Sequence, residues 1–150
     1  LRNNVKIINL EQRVEGKVIE LLFENKKIEA LQVLENGTIF STNYGYEKIN
    51  ENESKAVKNE DILKGKLINI NINNEAISEI ELIGMASSLI HLYEDSLYQG
   101  TNEISGDKIT LKLKNNNATN LESIGGVIGQ FNPSLSNISQ EKVDYRGKRV

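Results

Sequence analysis

The chain has 150 residues, a formal net charge of −3 and no cysteine. That length holds one ordinary domain or two small ones, and the acidic balance argues against a nucleic-acid binder, which carries a basic face. Without cysteine there are no disulfides, thiolate metal sites or cysteine nucleophiles, although the compartment stays open.

Leu1 rather than Met at the start predicts a processed product or a fragment, with no basic-then-apolar signal sequence remaining. No run approaches the roughly 20 apolar residues that span a bilayer as a helix. Val5–Leu10 predicts a first edge strand. Val14–Phe23 predicts a second, with Gly16 marking a bulge or sharp bend of the kind that closes small barrels. Helix competes over residues 18–34, where Glu, Leu, Lys and Ala favour it. Strands are preferred because Asn25-Lys26-Lys27 interrupts the run and Glu35-Asn36-Gly37-Thr38 ends it with a hairpin dipeptide.

Thr38–Thr42 is β-branched and aromatic and predicts a strand returning from Asn36-Gly37. Tyr44-Gly45-Tyr46 follows. Tyrosines around a glycine can form a stacking surface for sugars or peptides, or be ordinary sheet residues with their hydroxyls in water. Residues 50–60 are polar and predict a loop.

The stretch Asp61–Ile83 carries the strongest pattern. Ile68, Ile70 and Ile72 alternate with Asn69, Asn71 and Asn73, and Ile80 and Leu82 alternate with Glu79 and Glu81. A three-residue loop at Asn73-Asn74-Glu75 would set Ile68 opposite Ile80 and Ile70 opposite Ser78. A two-residue loop would set Ile68 against Glu79 and mix the faces. The three-residue loop is expected.

After Gly84, the spacing of Met85, Leu89, Leu92 and Tyr93 predicts a short helix or irregular connector over 85–95, with a strand through Leu89–Tyr93 as the alternative. His91 is the only histidine. With Asp95 four residues on and no third partner, it predicts a structural or solvent-facing role rather than a metal ligand or triad member. Ser96–Gly106 predicts a polar loop. Asp95, Asn102, Glu103 and Asp107 supply oxygens near it, but without the spacing of an EF-hand loop. Lys108–Lys114 is a clean strand, with Ile109, Leu111 and Leu113 on one face and lysines and Thr110 on the other. Residues 121–131 predict a last strand. Their glycines lack the spacing of a phosphate-binding loop. Residues 132–150 predict a polar tail or linker, ending in the basic run Tyr145–Arg149.

Residues 25–39 and 106–120 echo one another as turn, Lys-Ile, alternating strand and Asn-rich turn. Two tandem β-modules would read this way, and so would any two hairpin strands in a chain this rich in Asn, Ile and Lys. The four Asn-X-Ser/Thr matches, at Asn36, Asn52, Asn117 and Asn137, are what such composition yields by chance.

The succession Val14-Glu-Gly-Lys-Val18, a Lys-Ile strand, Asn36-Gly37-Thr38 and Asp61-Ile-Leu-Lys-Gly-Lys-Leu67 resembles the small β-barrel modules that accompany S-layer homology domains in Gram-positive surface proteins. The "leucine, two residues, glycine" step of those modules corresponds to Ile62–Gly65, with Lys66 where they carry an acid. The resemblance covers residues 14–83. It implies a non-catalytic extracellular spacer, scaffold or adhesive element.

The sequence therefore predicts a mainly β chain of antiparallel hairpins forming a small barrel or sandwich, with one short helix near 85–95. The β-rich domain is expected over 1–131, as one unit or as two modules of about 14–83 and 84–131. The functional expectation is a structural or interaction module of a larger cell-surface bacterial protein. Its expected partner is a protein or cell-wall component, or a second copy through sheet edges. The alternative is a carbohydrate- or ligand-binding module using Tyr44, Tyr46, Tyr93 and Tyr98. No catalytic residue, metal or cofactor is assigned.

Overall fold

The structure, a computed structural model, describes residues 2–8, 11–114 and 117–134. The basic run Tyr145–Arg149 and most of the expected tail lie outside the described residues. The described chain contains ten strands and no helix: β1 (Arg2–Ile8), β2 (Gln12–Glu24), β3 (Lys27–Leu34), β4 (Gly37–Asn50), β5 (Glu53–Gly65), β6 (Leu67–Asn73), β7 (Ala76–Glu94), β8 (Leu97–Lys114), β9 (Asn117–Ile124) and β10 (Ile128–Pro133).

Several of these are halves of longer bent strands. β2 pairs with β4 through Val14↔Ile39 and with β3 through Ile19↔Val33, so β3 and β4 lie end to end along it. They join at Glu35-Asn36, both at positive φ. β5 and β6 are likewise continuous, through Gly37↔Gly65 and Val33↔Ile68, and β7 spans both. Pairing thus runs β2-β3-β6-β7-β5-β4 and returns to β2, a closed six-stranded antiparallel β-barrel. β1 extends it beyond β2, β8 lies along β7, and β9 and β10 lie end to end on β8.

The bends align. Gly16, Gly37, Gly65, Gly84, Gly106 and Gly125 form a row across the strands, linked by the pair Gly37↔Gly65 and by the bonds Lys66 N to Gly84 O and Asp107 N to Gly125 O. The reason is steric. A Cβ on Gly16 would stand 2.3 Å from Val33 Cγ1, and one on Gly37 would meet Val33 and Ile68 at 2.6 and 2.8 Å. Glycine lets a sheet turn a corner sharply enough to close a barrel.

The core fills the fold so formed. Two cross-strand rows lead it: Leu31–Ile70–Ile80–Leu111 and Val33–Ile68–Leu82–Ile109. Val14, Ile19, Ile39, Leu63 and Ala86 join the same cluster. Each fully buried Ile or Leu stabilises the fold by about 1.5–3 kcal/mol relative to exposure. The cluster draws on residues either side of Gly84, and β7 crosses that position without interruption.

The mainly β expectation is met by a barrel, but several local expectations need correction. Residues 85–95 are strand, not helix. Gly84 and Met85, at φ 79° and 46°, form a bulge between Ile83↔Lys108 and Ala86↔Gly106. Met85 points to solvent, 78% exposed, so the helical spacing was not a buried face. Pairing on both edges outweighs local propensity there. The expected loops at 50–60 and 96–106 are strand as well, the first paired with β4 and the second with β7 and β10, with turns only at Glu51-Asn52 and Asp95-Ser96. Asn36-Gly37 makes a corner in a continuing strand rather than a hairpin.

The hairpin after Asn73 has a two-residue turn, Asn74-Glu75, at φ 52° and 65°. A bulge at Ser78 then restores the faces, giving Ile70↔Ile80 and Ile68↔Leu82. The expected last strand, 121–131, divides into β9 and β10. β10 includes Asn132 and Pro133, and Ser134 is buried with its N–H donating to Gln99 O.

Candidate functional site

Alternation along β4 decides where the tyrosines go. Asn43, Gly45 and Glu47 face inward while Tyr44 and Tyr46 face solvent, 59% and 52% exposed. Tyr93 on β7 and Tyr98 on β8 lie on the other side of that strand. The Tyr93 ring packs on Gly45, where a Cβ would come within 2.5 Å of it. The four tyrosines therefore form two separate groups. Tyr46 also anchors β4 to β8, its N–H donating to Ser96 O at 2.7 Å.

The inner group is a polar-aromatic cluster. Tyr93 and Tyr98 rings are 5.8 Å apart and tilted by 52°, and His91 stacks on Tyr98 at 5.8 Å. The Tyr93 hydroxyl donates to Asn43 Oδ1 and accepts from Asn59 Nδ2 at 2.8 Å. Asp61 Oδ1 accepts from His91 twice, from the backbone N–H and from ring Nδ1, both at 2.8 Å. A carboxylate only accepts, so Nδ1 carries the proton. Burial pushes the Tyr93 phenol above its usual range, with the Asn59 bond opposing and the Asp61 charge adding. Burial also raises Tyr98, helped by Glu47 and Tyr93.

The chemistry of this cluster is cohesive. Its hydrogen bonds join Tyr93 to Asn43 and Asn59 and His91 to Asp61, tying β7 to β4 and β5. The sequence reading missed Asn43, Asn59 and Asp61 as partners of His91 and Tyr93, because Asn59 fell in a presumed loop. His91 bonds Asp61 rather than Asp95, which sits in the β7–β8 turn. Asn102, Glu103 and Asp107 spread along β8. Among the described residues no three His, Asp or Glu side chains gather where a metal could be held.

A second feature is the edge formed by β9 and β10, which among the described residues pair only with β8. It exposes Ile124, Val127, Ile128 at 71% and Phe131 at 45%. Native edges are usually blunted by charge; β9 carries Glu122, but β10 carries no charged residue. From Ser123 to Gln140, between Glu122 and Glu141, there is no charged residue. That interruption in charge was the sequence signal available for it. Beside this edge, Ile62, Leu89, Ile104 and Ile128, with Ser87, Ser88, Ser105, Gln130 and the charged Lys64 and Glu103, line a shallow cleft of about 360 Å³.

Compared with known proteins, the chain matches no family model, and no curated protein or solved structure matches it significantly.

Proposed function

We propose that this chain is a non-catalytic structural or interaction module of a larger, cell-surface bacterial protein, and that it engages a protein or cell-wall component by adding a strand to its β9–β10 edge. The observation that carries this reading is the uncharged β10 part of that edge, with exposed Ile128 and Phe131. A free edge offers backbone hydrogen bonds for affinity, and flanking side chains for specificity. The self-satisfied polar cluster supports it further, since its groups are spent on holding strands together. The test is binding of the purified chain to cell-wall fractions, with its mass followed by light scattering. Binding or assembly that is lost in Val127→Lys, which places a charge on the edge, is the expected result. A strict monomer that binds no wall or protein component would contradict the reading.

A carbohydrate- or ligand-binding role is favoured by one observation, the solvent-facing pair Tyr44 and Tyr46. Aromatic faces of this kind stack on sugars. Quenching or protection of tyrosine fluorescence by a glycan panel, abolished in Tyr44→Ala/Tyr46→Ala, is the expected result under this reading. No response across the panel removes it.

A further inference from the structure

We propose that the occupant of the β10 edge is the β10 edge of a second copy, paired antiparallel about a twofold axis at Gly129. This rests on the reading of that edge as the interaction surface and names its partner.

Three observations converge on Gly129. First, among the described residues nothing requires a glycine there. Every other glycine in the described residues has either a positive φ or a neighbour within about 3 Å of the place a Cβ would occupy. At Gly129 the nearest atoms are 3.9 Å away, and its φ is ordinary. A glycine that the chain's own packing does not require marks a close approach from outside.

Second, the backbone points the right way. Ser134 N–H donates to Gln99 O on β8. In an antiparallel ladder, alternate residues turn their N–H and C=O to one neighbour. Asn132, Gln130 and Ile128 therefore face β8, while Phe131, Gly129 and Val127 face outward. Pro133 occupies the next outward position and has no N–H to offer, so the usable edge stops there. At the other end the left-handed pair Gly125-Gly126, φ 77° and 56°, turns the chain away. The edge between these limits is centred on Gly129.

Third, that edge is self-complementary. A twofold at Gly129 sets Gly129 against itself, Val127 against Phe131 of the second copy, and Ile128 against Gln130. All three outward residues are then in hydrogen-bonded positions. The Val–Phe pairs are a favourable cross-strand combination on one face. A twofold axis places like residues near one another, and the lack of charge between Ser123 and Gln140 means that nothing repels. The strand contact is short, well below the roughly 1,000 Å² of a stable interface, so the dimer is concentration-dependent.

The cysteine-free chain allows a direct test with one introduced thiol. Hydrogen-bonded antiparallel partners have Cα atoms about 5.5 Å apart, inside the roughly 4.4–6.8 Å that a disulfide spans. Gly129→Cys is expected to cross-link into a covalent dimer under mild oxidation, many-fold faster than Lys48→Cys at the exposed end of β4. In sedimentation, the mass of the unmodified chain is expected to rise with concentration toward two copies and stop. Gly129→Pro, which removes an outward N–H without costing a bond to β8, is expected to stay monomeric with an unchanged circular dichroism spectrum. Cross-linking no faster than Lys48→Cys, with a monomeric mass throughout, overturns the proposal. Growth of mass beyond two copies also overturns it, because that requires head-to-tail pairing with another edge. Loss of wall or protein binding in Val127→Lys, without any cross-linking of Gly129→Cys, assigns the edge to a different strand: the interaction reading then survives and the self-pairing does not.

Discussion

Tyr93 joins three strands through one phenol, since it sits on β7, bonds Asn43 on β4 and Asn59 on β5, and lays its ring on Gly45. Removing the hydroxyl leaves two half-buried amides short of a partner, a loss of about 1–3 kcal/mol. Tyr93→Phe should lower stability by that amount in urea unfolding. The raised phenols of Tyr93 and Tyr98 also give a pH dependence with a definite sign. A folded value above the unfolded value of about 10 favours the protonated phenol. The associated stability is present below pH 10 and is lost as pH rises through the folded values. Absorbance at 295 nm should therefore show a late-ionising fraction that shifts to lower pH when urea is added. The glycine row gives a second prediction at this scale. Gly37→Ala drives a methyl into Val33 and Ile68, and overpacking of that kind costs about 1–3 kcal/mol. Adding Val33→Ala should recover part of the loss, a non-additivity readable in a double-mutant cycle.

At the scale of elements, the outer face of the barrel carries a polar ladder of its own. Gln32 on β3 donates to Asn69 on β6 at 2.9 Å, Asn69 donates to Glu81 on β7 at 3.0 Å, and Glu81 meets Lys108 on β8 at 3.0 Å. The Asn69 hydrogen bond, then Lys108, holds the Glu81 carboxyl below its ordinary range. A depressed carboxyl contributes stability above its unfolded value of about 4.3, and that contribution disappears as pH falls through the folded value. The midpoint of urea unfolding should fall between pH 5 and pH 3, with a smaller fall in Glu81→Gln. The asparagines of this ladder were legible as the polar face of the Asp61–Ile83 hairpin, because strict alternation fixes faces whatever the turn. The register was not legible. A bulge at Ser78 moves the pairing without disturbing the alternation of Ile68, Ile70, Ile80 and Leu82. Residues 85–95 were misread because a bulge at Gly84-Met85 breaks period two, and an apolar spacing of four then looks helical. Strands over 53–60 and 97–106 have polar sequences and depend on pairing with β4 in the first case and with β7 and β10 in the second, which no local pattern reveals.

For the whole molecule, one core lies on both sides of Gly84, so residues 14–83 and 84–131 should unfold together. Circular dichroism and tyrosine fluorescence should give coincident urea transitions; two separated transitions would mean two modules. The tyrosine site was legible only as residue types. Alternation along β4 separates Tyr44 and Tyr46 from Tyr93 and Tyr98, and the partners of Tyr93 lie 34 and 50 residues away in the chain. Residues 121–131 were legible as a last strand, but their place at a sheet edge was not, because it is set by the pairing of the whole sheet and by no local pattern. The central claim is that this edge is where the module meets its partner. Amide hydrogen exchange tests it most directly, measured on the chain alone at low concentration and again when bound or self-associated. The account predicts that the outward amides of Gly129 and Phe131 exchange freely in the first case and become protected in the second, with Tyr44 and Tyr46 unchanged. Protection at Tyr44 and Tyr46, with Gly129 and Phe131 still exchanging freely, would contradict it.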